Sequence, residues 1–239
     1  MNEMLCKRTV VLAADLLIFC AWALFMMAGR ADAASPSPLP LRQPTFADPS
    51  ETPEDAVVKY NAVLEKQPAN VMALLRRGFA YSLLGKCEEA LADYTEAIRL
   101  DPKNADAYDA RGGVHVIMEL RADRPEAGGE QRAAAAKEHE AAVADFMQMA
   151  RLRIADAPDK KAAAVKLAEA QHSMHDDYAD PVDVTCENGC WRVVTEIDPR
   201  DAEAWYHLSG CSSFPESMEA LRKAAELAPG NIDYLKALA

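Results

Sequence analysis

Pro68, Pro102, Pro199 and Pro229 each close a stretch of similar helical pattern, and Pro68 and Pro102 stand 34 residues apart. A period of that size restricts a chain to stacked supersecondary units, each burying its apolar face against the next. The clearest unit is VMALLRRGFAYSLLGKCEEALADYTEAIRLDP, residues 71 to 102. Gly78 and Ala90 are small where two antiparallel helices must approach, and Tyr81, Tyr94 and Ile98 are sized to fill the space around them. Gly85 supplies a residue tolerant of left-handed backbone where the first helix ends. Pro102 stops the second helix, since it has no amide proton and disfavours helical geometry in the residue before it.

This unit resembles the tetratricopeptide repeat. With Val71 as position 1, Leu74, Gly78, Ala80, Tyr81, Ala90, Tyr94, Ala97 and Pro102 fall at the family's positions 4, 8, 10, 11, 20, 24, 27 and 32. The resemblance implies an all-α fold, a right-handed superhelical solenoid of antiparallel helix pairs, with about three to four units over residues 53 to 239. Residues 53 to 68 read as an N-terminal half-repeat, with Ala56 and Tyr60 at positions 20 and 24. The best repeat covers 69 to 104. A second covers 105 to 156, with Ala142 and Phe146 at positions 20 and 24 and an insertion at about 119 to 139. Residues 157 to 201 read as a degenerate unit, with 160 to 174 as its first helix and Trp191 at position 24. A short repeat follows at 202 to 231, where Ser209 replaces the usual glycine, and 232 to 239 reads as a capping helix.

Ahead of the repeats, Lys7 and Arg8 precede an apolar run from Val10 to Ala28, followed by Ala31-Asp32-Ala33. That is the layout of a signal peptide cleaved after Ala33, so export to a periplasmic location is expected. Residues 10 to 28 remaining as an inner-membrane anchor is the other outcome, although Asp15 inside the run opposes it. Residues 34 to 52 are rich in proline and serine and read as a linker. The formal net charge of -12 excludes a phosphate-binding surface, which needs clustered lysine and arginine, so no nucleic acid is expected.

In proteins of this family the concave groove is lined from positions 2, 5, 9, 12 and 13 of the first helix. In the best repeat these are Met72, Leu75, Phe79, Ser82 and Leu83, an apolar strip. In the second they are Asp106, Asp109, Gly113, Val116 and Ile117. The resemblance therefore implies a protein or peptide partner of basic and apolar character, held at Met72, Leu75, Phe79, Leu83, Val116 and Ile117. The alternative is a structural role, with irregular repeats docking on a second copy. Arg77 and Arg111 at position 7, with Asp93 and Asp145 at position 23, predict an ion pair inside each of the two best repeats.

Cys87, Cys186, Cys190 and Cys211 remain after the N-terminal segment, and a disulfide from Cys211 to Cys190 or Cys186 is expected in an oxidising compartment. His172, His175, Asp176 and Asp177, with Cys186 and Cys190 nearby, could be drawn as a zinc site, but the cysteine spacing is not that of a common finger. The reading is therefore no metal and no cofactor. No nucleotide-binding loop, nucleophile elbow or HExxH pair occurs, so no catalysis is expected.

Overall fold

The computed structural model describes residues 51–123, 128–172, 181–212 and 215–238, which all belong to one unit, Pro40–Ala239. Among the described residues the regular structure is entirely helical: α1 (Pro53–Lys66), α2 (Val71–Leu83), α3 (Cys87–Leu100), α4 (Ala105–Ala122), α5 (Gly129–Arg153), α6 (Lys160–His172), α7 (Pro181–Ile197), α8 (Ala202–Cys211), α9 (Glu216–Leu227) and α10 (Ile232–Leu238).

One device starts several of these helices. A proline is followed two residues later by Asn70, Asn104 or Asp201, whose side-chain oxygen accepts the amide proton of Ala73, Ala107 or Ala204 at 3.0, 3.1 and 3.0 Å. Each satisfies one of the orphan donors at a helix start, and Thr52 does the same for α1 through Asp55 N. Between α2 and α3, Gly85 takes φ 74°. The amides of Lys86 and Gly85 donate back to Tyr81 O and Ser82 O at 2.9 and 3.0 Å, so a left-handed residue closes the helix as expected.

Within the first two pairs a glycine of one helix lies under an aromatic ring of the other. A β-carbon at Gly78 would come within 2.8 Å of Tyr94 Cε1, and one at Gly112 within 3.0 Å of Phe146 Cε1. The two rings are fully buried and bring the helices into close contact. α1 packs on α2, α2 on α3, α3 on α4 and α4 on α5, so each element touches its neighbours in chain order, as in a solenoid.

At the third unit this order changes. α6 pairs with α7 but scarcely touches α5, and it is α7 that packs on α5 and also reaches α4. The backbone approach is tight at Gly189, where a β-carbon would lie 2.7 Å from Phe146 Cβ and 3.1 Å from Met147 N. Trp191 is buried on α7, where it stacks on His207 of α8 at 4.5 Å and donates from Nε1 to Glu187. α8 pairs with α9, and α10 packs on α9 through Tyr234, whose ring stacks on Tyr206 at 4.8 Å. Among the described residues no helix is long and apolar enough to cross a membrane. The run from 10 to 28, the cleavage motif and the linker up to residue 50 lie outside the described residues.

Candidate partner-binding face

The face carrying positions 2, 5, 9, 12 and 13 of α2 and α4 is only partly open. Met72 is 49% exposed, and Phe79 and Leu83 are half-buried, so these three offer apolar surface on α2. Leu75, expected in the groove, is 1% exposed and belongs to the core shared by α1 to α4. Val116 and Ile117 are 1% and 8% exposed and also belong to the interior.

For Val116 the reason is the displaced helix. α7 covers the corresponding face of α4, where a β-carbon at Gly113 would sit 3.7 Å from Val182 Cγ1 and Val116 joins the cluster built from α5, α7 and α8. Ile117 turns the other way, into the first cluster. These three residues therefore hold repeats together and present nothing to a ligand.

What remains open on this face of α4 is acidic. Asp106 and Asp109 accept from Arg153 Nη2, at the far end of α5, at 3.3 and 3.1 Å. These are the longer ion pairs of the region, and the Asp106 side chain is half exposed. The open face thus combines apolar Met72, Phe79 and Leu83 with two carboxylates one repeat further on.

The arginine and aspartate pairs are bidentate. Arg77 Nε and Nη2 donate to Asp93 Oδ2 and Oδ1 at 2.8 and 2.6 Å, and Arg111 Nε and Nη2 to Asp145 Oδ2 and Oδ1 at 2.8 and 2.7 Å. Each carboxylate is buried, and each raises the pKa of the guanidinium it holds. The sequence reading did not anticipate the remaining donor. Arg77 Nη1 donates to Asn61 Oδ1 on α1 at 2.7 Å, and Arg111 Nη1 to Thr95 Oγ1 on α3 at 3.3 Å. Asn61 and Thr95 hold the same repeat position, one beyond Tyr60 and Tyr94, so each arginine joins its own repeat to the one before. The equal spacing of 16 residues in both contacts was the available signal.

None of Cys87, Cys186, Cys190 and Cys211 is in a disulfide, which corrects the expected link from Cys211 to Cys190 or Cys186. Cys186 and Cys190 are buried mid-helix in α7, while Cys211 Sγ is directed to the carbonyls of its own helix, His207 O and Leu208 O, both at 3.5 Å. Burial pushes the Cys211 thiol up to about 12 and raises that of Cys87, so both are protonated and poor nucleophiles. Among the described residues no three His, Cys, Asp or Glu side chains converge as metal ligands. His175, Asp176 and Asp177, and the side chain of His172, lie outside the described residues.

A family model described as "TPR repeat" matches residues 83–116, from the end of α2 to the middle of α4. The chain is 40% identical over 62 residues to a mouse FK506-binding protein-like protein (Mus musculus), covering 26% of this chain and 18% of that one. It is 39% identical over 61 residues to a barley protein (Hordeum vulgare), the probable UDP-N-acetylglucosamine–peptide N-acetylglucosaminyltransferase SPINDLY, covering 26% and 6%. The matched stretch thus spans less than a fifth of each relative. Among solved structures, MamA is 20% identical with TM-score 0.36, over 76% of this chain and 92% of that one. YrrB, titled a TPR protein with an unusual peptide-binding site, is 21% identical with TM-score 0.28, over 74% and 96%. The chain thus carries a tetratricopeptide repeat over residues 83–116, with a second, similarly packed helix pair beside it.

Proposed function

We propose that the protein is a non-catalytic scaffold that holds a polypeptide of mixed basic and apolar character on the open face of α2 and α4. The observation that carries the reading is the juxtaposition in register of an exposed Met72 and half-buried Phe79 and Leu83 with Asp106 and Asp109. Apolar side chains of an extended or helical segment would cover the α2 strip, and its lysine or arginine would compete with Arg153 for the two carboxylates. The net charge of -12 adds a long-range attraction for such a partner. Export rests on the pattern of residues 1 to 33 and belongs to the same proposal, which places the face in the periplasm.

The test is fluorescence anisotropy with a labelled peptide of alternating leucine and lysine, against a leucine–glutamate control. Met72→Asp and Asp106→Lys should each weaken binding by about tenfold or more, as loss of one good contact does, and added salt should weaken the wild type. Equal binding by all three proteins, or no discrimination between peptides, sinks the reading. A defined oligomer in sedimentation that Met72→Asp dissociates would instead favour docking of a second copy on the same face.

A further inference from the structure

The insertion is an extension of the second hairpin. α2 and α3 have 13 and 14 residues, whereas α4 and α5 have 18 and 25. Two imidazole–carboxylate pairs of opposite polarity sit at the base of this extension. His115 Nδ1 on α4 lies 2.6 Å from Glu138 Oε2 on α5, and His139 Nδ1 on α5 lies 3.1 Å from Glu119 Oε2 on α4. The positions are telling. His115 and His139 occupy positions 11 and 17, held in the first repeat by Tyr81 and by the buried Cys87. An apolar closure of the hairpin has been replaced by a polar one where the helices run on.

Beyond these pairs the extension is tied to the first repeat by Arg121, which donates from Nη1 to Gly85 O at 2.9 Å and to Cys87 Sγ at 3.1 Å, and much of it is exposed. Leu120 is 38% exposed, most of α5 from 129 to 141 is exposed, and Ala135 is its one buried residue there. The pairs also face the rest of the molecule: His139 lies in the field of Glu216 at the start of α9 and of Arg192 on α7, which donates to Glu216 at 2.7 Å. Glu119, Glu216 and Arg192 are thus the charged groups whose fields reach His139.

We propose that His139 and Glu119, beside the His115–Glu138 pair, form a pH-responsive latch, closed when the His139 imidazole is protonated, which fixes the extended α4/α5 hairpin against α7. The direction of the His139 pKa agrees: it is raised from the ordinary value, first by the hydrogen bond to Glu119. A histidine raised in the folded state adds stability that is complete below its unfolded pKa, about 6.5, and lost as pH rises through the higher folded value. Closure therefore belongs to mildly acidic pH and opening to neutral or alkaline pH.

Hydrogen exchange of the full chain, corrected for the intrinsic pH dependence of exchange, tests this on segments 115–123 and 128–143. Between about pH 5.5 and about pH 8 their protection should fall severalfold relative to α2 and α3. His115→Gln with His139→Gln should flatten that response. Glu119→Gln, which keeps the shape and leaves His139 in place, should flatten it too and guards against a folding defect in the double variant. A pH response unchanged in either variant overturns the latch, as does equal wild-type protection at both pH values.

Discussion

At the scale of single residues, the strongest feature is the arginine that joins three helices. Arg77 binds Asp93 with two hydrogen bonds and Asn61 with a third, and the side chain of Asp93 is 7% exposed. Replacing Asp93 with Asn keeps the volume but leaves a largely buried guanidinium without its counter-charge. Asp93→Asn should lower unfolding free energy by roughly 2 to 3 kcal/mol, the low end for a broken buried pair because a fifth of the arginine remains in water. Urea denaturation checks it, and a loss below about 0.5 kcal/mol, the level of an exposed pair, contradicts it. The pair was legible in the sequence because arginine and aspartate recur together at fixed positions. The numbering shows the insertion too: Arg77 and Asp93 are 16 residues apart, Arg111 and Asp145 are 34, and the difference of 18 is the added chain.

At the scale of elements, two glycines in helices have opposite roles. Gly189 of α7 lies against Phe146 Cβ and Met147 N of α5, so a methyl group there meets backbone that cannot yield. Gly210 of α8 has nothing within 4 Å of the place its β-carbon would take. Gly189→Ala should therefore destabilise by about 1 to 3 kcal/mol through overpacking, despite the better helix propensity of alanine. Gly210→Ala should stabilise by about 0.5 to 1 kcal/mol. Thermal unfolding of the pair decides the matter, and a destabilised Gly210→Ala or a neutral Gly189→Ala contradicts the assigned crossing. Helix starts were readable from local chemistry, because a proline, any residue and then Asn or Asp specify a cap without outside help. The place of α7 was not readable. Its sequence includes Thr185, Glu187, Asn188 and Thr195, all buried, and a segment so polar suggests no inner face. Thr185 and Thr195 donate to Pro181 O and Arg192 O of their own helix, both at 2.9 Å, while Asn188 Nδ2 reaches another element, donating to Cys211 O at 3.1 Å and to Ser212 Oγ at 2.9 Å.

At the scale of the whole molecule, α4 couples two cores, with Val114 and Ile117 in the cluster of α1 to α4 and Val116 in the cluster of α5 to α9. Stability of a stacked array is set by units and nearest-neighbour interfaces, so a cavity on one face of α4 acts mainly on that side. Val116→Ala should cost about 1 to 3 kcal/mol and speed hydrogen exchange in α5 and α7 before α1 to α3. Uniform acceleration would mean that the cores unfold as one. The sequence by itself determined the helical class, the first two repeats, their ion pairs and the left-handed turn at Gly85, because spacing, caps and charge recurrence are local or periodic. Only the tertiary structure decided which residues of the expected groove are open. Leu75 and Ile117 were consumed by packing among α1 to α4 and Val116 by packing toward α7, since burial depends on how helices stack and on where α7 comes to rest, and neither period nor composition encodes that contact between distant segments.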